Sequence, residues 1–250
     1  MSIGLRSWAL MLVGFSILAA FSVYRFFPAN PSVNDVLSDG SRLILVETDS
    51  FEVSAAVISM FERDGETGAW RLAGDNAPAR VGRNGLGWGH TFRQLAEVGE
   101  PIKQEGDKRA PAGVFKLGRS FGLNSEKLPD YMQLEDGQHF CVDDVASENY
   151  SQIVPVDHVP AGTSGERMWE IGLYKRGMVV DYPTDRAAKS GSCIFLHVWR
   201  TPQTPTVGCV AADEETVARL QKWVNEASAG AWIAIVPKGA RDRLRLRLAE

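Results

Sequence analysis

The sequence predicts a mainly β domain of the α+β class, a β-rich sandwich or barrel with a few helices, preceded by an N-terminal membrane helix. Two observations predict the β-rich domain: many short apolar runs, and the glycine- and proline-bearing loops that separate them. A long uncharged segment near the start predicts the membrane helix. The chain has 250 residues, enough for one sizeable domain or two small ones after that segment.

The N-terminal segment comes first. Arg6 precedes Trp8 to Tyr24, a stretch that is uncharged and mostly apolar. As a helix it would be about 25 Å long, close to the shortest length that spans a bilayer. A cleaved signal peptide is the alternative, although we favour an uncleaved anchor. The chain is therefore divided into an anchor or signal segment (1–27), a linker (28–40) and a domain (41–250) that is exported in either case.

Apolar runs bounded by turn residues mark the expected strands of the domain. These runs are Arg42–Glu47, Glu52–Met60, Ala69–Leu72, Gly113–Leu117, Tyr131–Leu134, Met178–Asp181, Cys193–Trp199, Val207–Ala211 and Ala231–Val236. The glycine-rich stretch Gly85–Gly89 has neither the lysine of a P-loop nor the glycine spacing of a dinucleotide-binding loop. We interpret it as a turn.

One helix is clearly indicated after the last cysteine. Asp213 is a suitable N-cap, and Val217, Leu220 and Val224 follow at helical spacing. Gly230 is expected to end this helix. A weaker helical pattern lies near Phe92–Val98.

Charge and cysteine content narrow the functional classes. The net charge of −4 gives nucleic-acid binding no global electrostatic support, so no nucleic-acid partner is expected. In an oxidising compartment, three cysteines suggest one disulfide and one free thiol. Cys141 and Cys193 can pair and leave Cys209 free. The alternative is that Cys141 and Cys193 are both buried, unpaired thiols.

His197 and Cys209 are the most informative pair. A strand at Cys193–Trp199, a proline-bearing loop and a returning strand would place Cys209 beside His197. An imidazole next to a thiol supplies the base that makes it nucleophilic. Cys193 is four residues from His197 on the same strand, roughly 13 Å away. That distance argues against Cys193 as the partner and against a zinc site on Cys193, His197 and Cys209. No metal and no cofactor are expected.

Two segments resemble the L,D-transpeptidase catalytic domain of the YkuD type. His197, a spacer and Thr206-Val207-Gly208-Cys209 are similar to the family's histidine and Ser/Thr-x-Gly-Cys signature. The strand Gly191–His197 is similar to a G-S-x-I-F-L-H form found in one branch. Upstream, Glu105–Phe115 resembles the family's E-G-D-x-x-x-P-x-G-x-F segment. The resemblance covers roughly residues 40 to 237.

The resemblance implies an exported cysteine acyltransferase that acts on peptidoglycan stem peptides. Cys209 would attack the carbonyl preceding a terminal D-amino acid, release that amino acid and form a thioester. The amine of a second stem would then resolve the thioester, whereas water would make the protein an L,D-carboxypeptidase. A catalytically inactive wall-binding or scaffold domain is a further alternative. The implied location is the inner membrane, with the domain in the periplasm or cell wall, or secretion if the N-terminus is cleaved.

The resemblance also assigns the site residues. Cys209 is expected to be the nucleophile and His197 the general base. The backbone N–H groups around Gly208 and Cys209 are candidates for an oxyanion hole. Thr206 is a candidate for substrate binding, and it is expected to form a hydrogen bond within the site or to shape a turn.

This chain departs from the family pattern at three positions, one of which is Ala110 in place of the threonine common before the proline. It has Val198 where most members have glycine, and Ala211 where many have arginine. Trp199 and Arg200 are therefore further candidates for substrate contacts. Glu105 and Asp107 suggest a carboxylate pair, although a solvated loop is the favoured interpretation.

Overall fold

Strands account for most of the regular structure in the computed structural model of the protein. The residues described are 37, 39–65, 68–246 and 248, all within one compact unit, Pro31–Glu250. The strands, in chain order, are β1 (Gly40–Thr48), β2 (Ala55–Glu62), β3 (Arg71–Leu72), β4 (Ala77–Arg80), β5 (Leu86–Trp88), β6 (Ala110–Gly122), β7 (Met132–Gln133), β8 (Phe140–Val142), β9 (Ile153–Val154), β10 (Gly165–Arg167), β11 (Gly177–Asp181), β12 (Phe195–Val198), β13 (Val210–Ala212) and β14 (Gly230–Pro237). One α-helix, α1 (Glu214–Asn225), lies among them.

Eight of these strands close into a mixed β-barrel, which confirms the mainly β prediction and selects the barrel over the sandwich. Their order is β1-β14-β6-β11-β12-β13-β4-β2, and β2 pairs with β1 to complete the circle. The pairs β1–β14 and β12–β13 are parallel, and the other contacts around the barrel are antiparallel. Closure leaves no free edge among these eight strands.

Helix α1 covers β11 and β12, the part of the barrel that carries the candidate site. Asp213 accepts a hydrogen bond from the Thr216 N–H at 2.8 Å, which confirms the predicted N-cap. Val217 and Leu220 are fully buried. The helix ends at Asn225 rather than close to Gly230, because Gly230 already begins β14.

The glycine-rich stretch at Gly85–Gly89 is not a turn, as the sequence had suggested. Leu86–Trp88 forms β5, which pairs in parallel with Ala110–Ala112 of β6. The turn lies just before it: the Gly85 N–H donates to the Gly82 carbonyl at 2.7 Å, and Gly85 has a φ of +79°. A Cβ at Gly85 would lie 2.0 Å from the Phe51 carbonyl oxygen, so only glycine fits there.

Five short 3-10 helices and a second, three-stranded sheet complete the described part of the chain. The 3-10 helices are His90–Leu95, Val156–His158, Met168–Glu170, Gly172–Lys175 and Lys238–Leu244. The first replaces the α-helix expected near Phe92–Val98, because the chain turns extended at Ala96. The second sheet has the order β10-β8-β9 and brings Cys141 and Glu166 beside the barrel.

The N-terminal predictions fall mostly outside the described residues. The segment 1–27 is not described, and of the linker 28–40 only residues 37, 39 and 40 are. Leu37 is 2% exposed and packs in the core, and Gly40 begins β1, so the folded unit already includes the end of that linker. No helix in the described part of the chain is long and apolar enough to cross a membrane.

Candidate active site

Two parallel strands hold Cys209 and His197 on the same side of the barrel wall. β12 and β13 pair in parallel, with His197 opposite Ala211. The sequence instead predicts a second strand that returns in the opposite direction. The strands are parallel because residues 199–209 carry the chain back to the start of β12 before β13 begins. Cys209 is two residues before Ala211, and therefore faces the same way as His197. Both side chains line one cavity of about 440 Å³. We call it the larger cavity, because it is the larger of two cavities that Cys209 lines.

The thiol of Cys209 is neutral and held by backbone groups. Cys209 is 5% exposed, and its Sγ accepts a hydrogen bond from the Phe195 N–H at 3.4 Å. The thiol donates to the Cys193 carbonyl at 3.5 Å. Burial, with a contribution from the Glu166 carboxylate, raises the pKa of Cys209 to about 12. The resting site therefore contains a thiol and not a thiolate.

His197 has one defined tautomer. Its Nδ1 lies 2.8 Å from the Val198 carbonyl oxygen, which can only accept, so Nδ1 carries the proton. Nε2 therefore has the lone pair that a general base needs. Burial lowers the pKa of His197 to about 4, so the ring is neutral at ordinary pH. The orienting group is thus the backbone carbonyl of Val198.

Thr206 fixes the backbone around Cys209. Its hydroxyl donates to the Cys209 carbonyl at 2.6 Å and accepts from the Gly208 N–H at 3.1 Å. The Gly208 N–H is thereby occupied, contrary to the expectation that it would serve an oxyanion hole. Of that pair of backbone donors, the Cys209 N–H remains the candidate. Thr206 itself is held to the neighbouring turn, because its carbonyl accepts from the Arg83 N–H at 2.8 Å.

The walls of the larger cavity include every residue that the sequence suggested for substrate contacts. Thr206, Trp199 and Arg200 all line it. Ala211 lines it as well, and Arg83 brings a second exposed guanidinium in addition to that of Arg200. Sequence reasoning missed Arg83, although the Gly82–Gly85 turn that presents it could have been recognised from its two glycines.

Tyr174 and Glu166 are two further site residues that the sequence did not reveal. The Tyr174 ring packs edge-on against the His197 ring, with centroids 5.2 Å apart. Its hydroxyl donates to Glu166 Oε2 at 2.6 Å. Burial raises the pKa of Glu166 to about 6, and the carboxylates of Asp143 and Glu105 add to this shift. Both residues come from the region between β8 and β11, where no motif marked them.

A second cavity of about 240 Å³, here the smaller cavity, reaches Cys209 from another side. Glu105 and Lys103 line it. Glu105 is not a solvated carboxylate: its Oε2 accepts hydrogen bonds from the hydroxyls of Tyr150 and Ser192. Asp107 is also ordered, because it pairs with the buried Lys103 at 2.7 Å. The favoured interpretation of Glu105 and Asp107 as a solvated loop was therefore wrong.

A disulfide joins Cys141 of β8 to Cys193 and leaves Cys209 as the free cysteine, which decides between the two alternatives that the sequence left open. Cys193 lies just before β12 rather than within it, with a φ of +52°, so the strand is shorter than the sequence predicted. The carbonyl of Cys193 accepts a hydrogen bond from the Cys209 thiol, so one of the two disulfide-bonded residues also contacts Cys209. Cys193 has no free thiolate to offer zinc, and the described residues contain no cluster of three metal-ligating side chains.

Comparison with known proteins places few limits on this site. The chain matches no protein family and no curated protein. A solved structure, that of Bd1075 from Bdellovibrio bacteriovorus, is similar at a TM-score of 0.39 and 18% sequence identity. The alignment covers 82% of this chain and 53% of that one, so the chain spans about half the length of its structural neighbour.

Proposed function

We propose that the protein is an exported cysteine acyltransferase that acts on peptidoglycan stem peptides as an L,D-transpeptidase. The observation that carries the proposal is that a lone thiol, Cys209, and a neutral imidazole, His197, line one cavity. The resemblance of the His197–Cys209 and Glu105–Phe115 segments to that family supplies the substrate class.

The chemistry begins with proton transfer between the two side chains. The thiol hydrogen turns from the Cys193 carbonyl to His197 Nε2 as sulfur attacks the stem-peptide carbonyl. The carbon–nitrogen bond to the terminal D-amino acid breaks, and the imidazolium protonates the departing amine. Acid–base help of this kind contributes about 10²–10⁴-fold to the rate. The product is a thioester on Cys209, and His197 is neutral again.

The walls of the larger cavity suit such a peptide. Leu173, Trp199 and Val207 offer apolar surface, and Arg83 and Arg200 place guanidinium groups at its rim. Guanidinium groups pair well with carboxylates, and the donor peptide ends in one. In this proposal these two arginines take the place of the arginine that Ala211 replaces.

The disulfide supports the location in this proposal. Disulfides persist mainly in oxidising compartments, and Cys141 is bonded to Cys193. We therefore propose that the domain lies outside the cytoplasm, with the N-terminal segment as its membrane anchor or cleaved leader.

Mass spectrometry of stem tetrapeptides incubated with the protein tests the function. The proposal expects a cross-linked dimer with the wild-type protein and none with Cys209→Ala. Tripeptide without dimer would instead assign the carboxypeptidase reaction to the same site. Unchanged tetrapeptide with both proteins would refute the enzymatic proposal and favour a wall-binding domain.

A further inference from the structure

Glu166 lies where the two cavities meet. It lines both of them together with Val207 and the nucleophile Cys209. Among the described residues that line these cavities, Glu166 is the one carboxylate common to both. The larger cavity holds the base His197, whereas the smaller cavity offers a second route to the same sulfur atom.

Glu166 is linked to both reacting side chains. Its Oε2 accepts the Tyr174 hydroxyl at 2.6 Å, and the Tyr174 ring packs against His197. Its negative charge raises the pKa of Cys209, which works against thiolate formation. A carboxylate that hinders the first half-reaction and is held in place by a buried tyrosine fits a role in the second half-reaction.

Three of the other charged groups near Glu166 already have hydrogen-bond or ion-pair partners. Glu105 accepts two hydroxyls, and Lys103 pairs with Asp107 at 2.7 Å. Asp143 and Lys108 are the remaining charged residues that line the smaller cavity, and Arg83 and Arg200 line the larger one. The Glu166 pKa of about 6 makes it ionised at neutral pH yet basic enough to take a proton.

We propose that Glu166 is a further catalytic residue, the general base that receives a proton from the acyl acceptor, a primary ammonium group entering through the smaller cavity. This inference rests on the proposed function. It separates the two carbonyl steps in space: the donor peptide occupies the larger cavity, and the amine approaches the thioester from the Glu166 side.

The step balances without another reactant. An ammonium N–H bond breaks and its proton goes to the Glu166 carboxylate, which leaves a neutral amine. The amine nitrogen forms a bond to the thioester carbon, the carbon–sulfur bond breaks, and its electrons return to Sγ. A second nitrogen proton passes through His197 Nε2 to sulfur, and Glu166 releases its own proton to water.

Glu166→Gln tests this role, because an amide keeps an oxygen for the Tyr174 hydroxyl but cannot act as the base. The two half-reactions are measured separately, as release of the terminal D-amino acid and as capture of the thioester by added amines. The first-turnover burst of D-amino acid release is expected to be at least as fast as in wild type, because the Glu166 charge that raises the pKa of Cys209 is removed. Capture by an alkylamine is expected to fall by about 10²-fold at pH 7. Capture by hydroxylamine, which is already neutral at pH 7, is expected to change by less than about threefold.

Two further variants make the result specific. Glu170→Gln removes an exposed carboxylate that lines neither cavity and does not touch the Tyr174 hydroxyl, and should alter both captures by less than about threefold. Glu166→Asp keeps the charge but withdraws it by one methylene, and should give an intermediate loss with alkylamines. If Glu166→Gln fails to fold, as judged by thermal unfolding, the Glu166→Asp comparison between the two amines carries the test.

Three results would overturn the inference. The first is alkylamine capture that stays within threefold of wild type in Glu166→Gln. The second is an equal loss with alkylamine and hydroxylamine, which would point to a structural role. The third is an absence of any thioester on the wild-type protein, which would remove the proposed function as well and is visible before any amine is added.

Discussion

Replacing Thr206 by valine should both destabilise the protein and slow the acylation of Cys209. Valine has the same shape but no hydroxyl, so the Cys209 carbonyl loses a partner at 2.6 Å and the Gly208 N–H loses one at 3.1 Å. Thr206 is 9% exposed, so water replaces these contacts poorly. A buried polar group left without a partner costs about 1–3 kcal/mol. With two such groups, we expect a loss of about 2–4 kcal/mol in the free energy of unfolding.

Urea denaturation followed by tryptophan fluorescence measures this loss. Thr163→Val is the matched control, because that hydroxyl makes one exposed hydrogen bond to Pro160 at 2.7 Å and should cost less than about 0.5 kcal/mol. Acylation of Cys209 should also slow by about tenfold or more in Thr206→Val, since small displacements of a nucleophile are costly. A Thr206→Val protein as stable as the control, with unchanged acylation, would show that this hydroxyl does not hold the site.

Three further outcomes concern stability. Because the pKa of His197 is lowered to about 4, the unfolded chain binds a proton at a higher pH than the folded protein does. The unfolding free energy of wild type relative to His197→Gln should therefore fall by up to about 3 kcal/mol between pH 7 and pH 4. A difference that does not change with pH would contradict this. Reducing the Cys141–Cys193 disulfide, which spans 52 residues, should lower the free energy of unfolding by about 4 kcal/mol and slow the acylation of Cys209. Equal urea unfolding midpoints with and without reductant would argue against this. The ion pair with Arg243 at 2.6 Å lowers the pKa of Glu100 to about 2. Glu100→Gln should therefore lower the free energy of unfolding by about 1–2 kcal/mol at pH 7, and by progressively less as the pH falls from 4.5 towards 2. Acid titration of both proteins checks this.

The placement of Cys209 and His197 in one cavity was predictable because the two residues are close in sequence. His197 and Cys209 are twelve residues apart, and their residue types alone indicate thiol chemistry. The Cys141–Cys193 pairing was one of two alternatives that the cysteine count left open, because the sequence does not give the distance between the two residues. The parallel direction of β13 did not follow, because the path of residues 199–209 depends on contacts with the Gly82–Gly85 turn, far away in sequence.

Glu166 and Tyr174 show why the remainder of the site was not predictable. Neither residue lies in a motif, and a glutamate or a tyrosine between short strands has many uses. Their contact depends on the second sheet, which carries Glu166 on β10 and whose strand β8 is joined by the disulfide to Cys193. Similarly, Glu105 suggested a solvated loop, because nothing in the sequence shows that Tyr150 and Ser192 would reach it.

The most direct test of the proposed chemistry is to locate the acyl group. The protein is mixed with a stem tetrapeptide, quenched in acid within seconds and digested. The mass of the peptide that contains Cys209 is then measured by mass spectrometry. We expect a tripeptide acyl adduct on Cys209 in the wild-type protein, formed at least about 10²-fold more slowly in His197→Ala. An adduct on another residue, no adduct at all, or equal rates in the two proteins would contradict it.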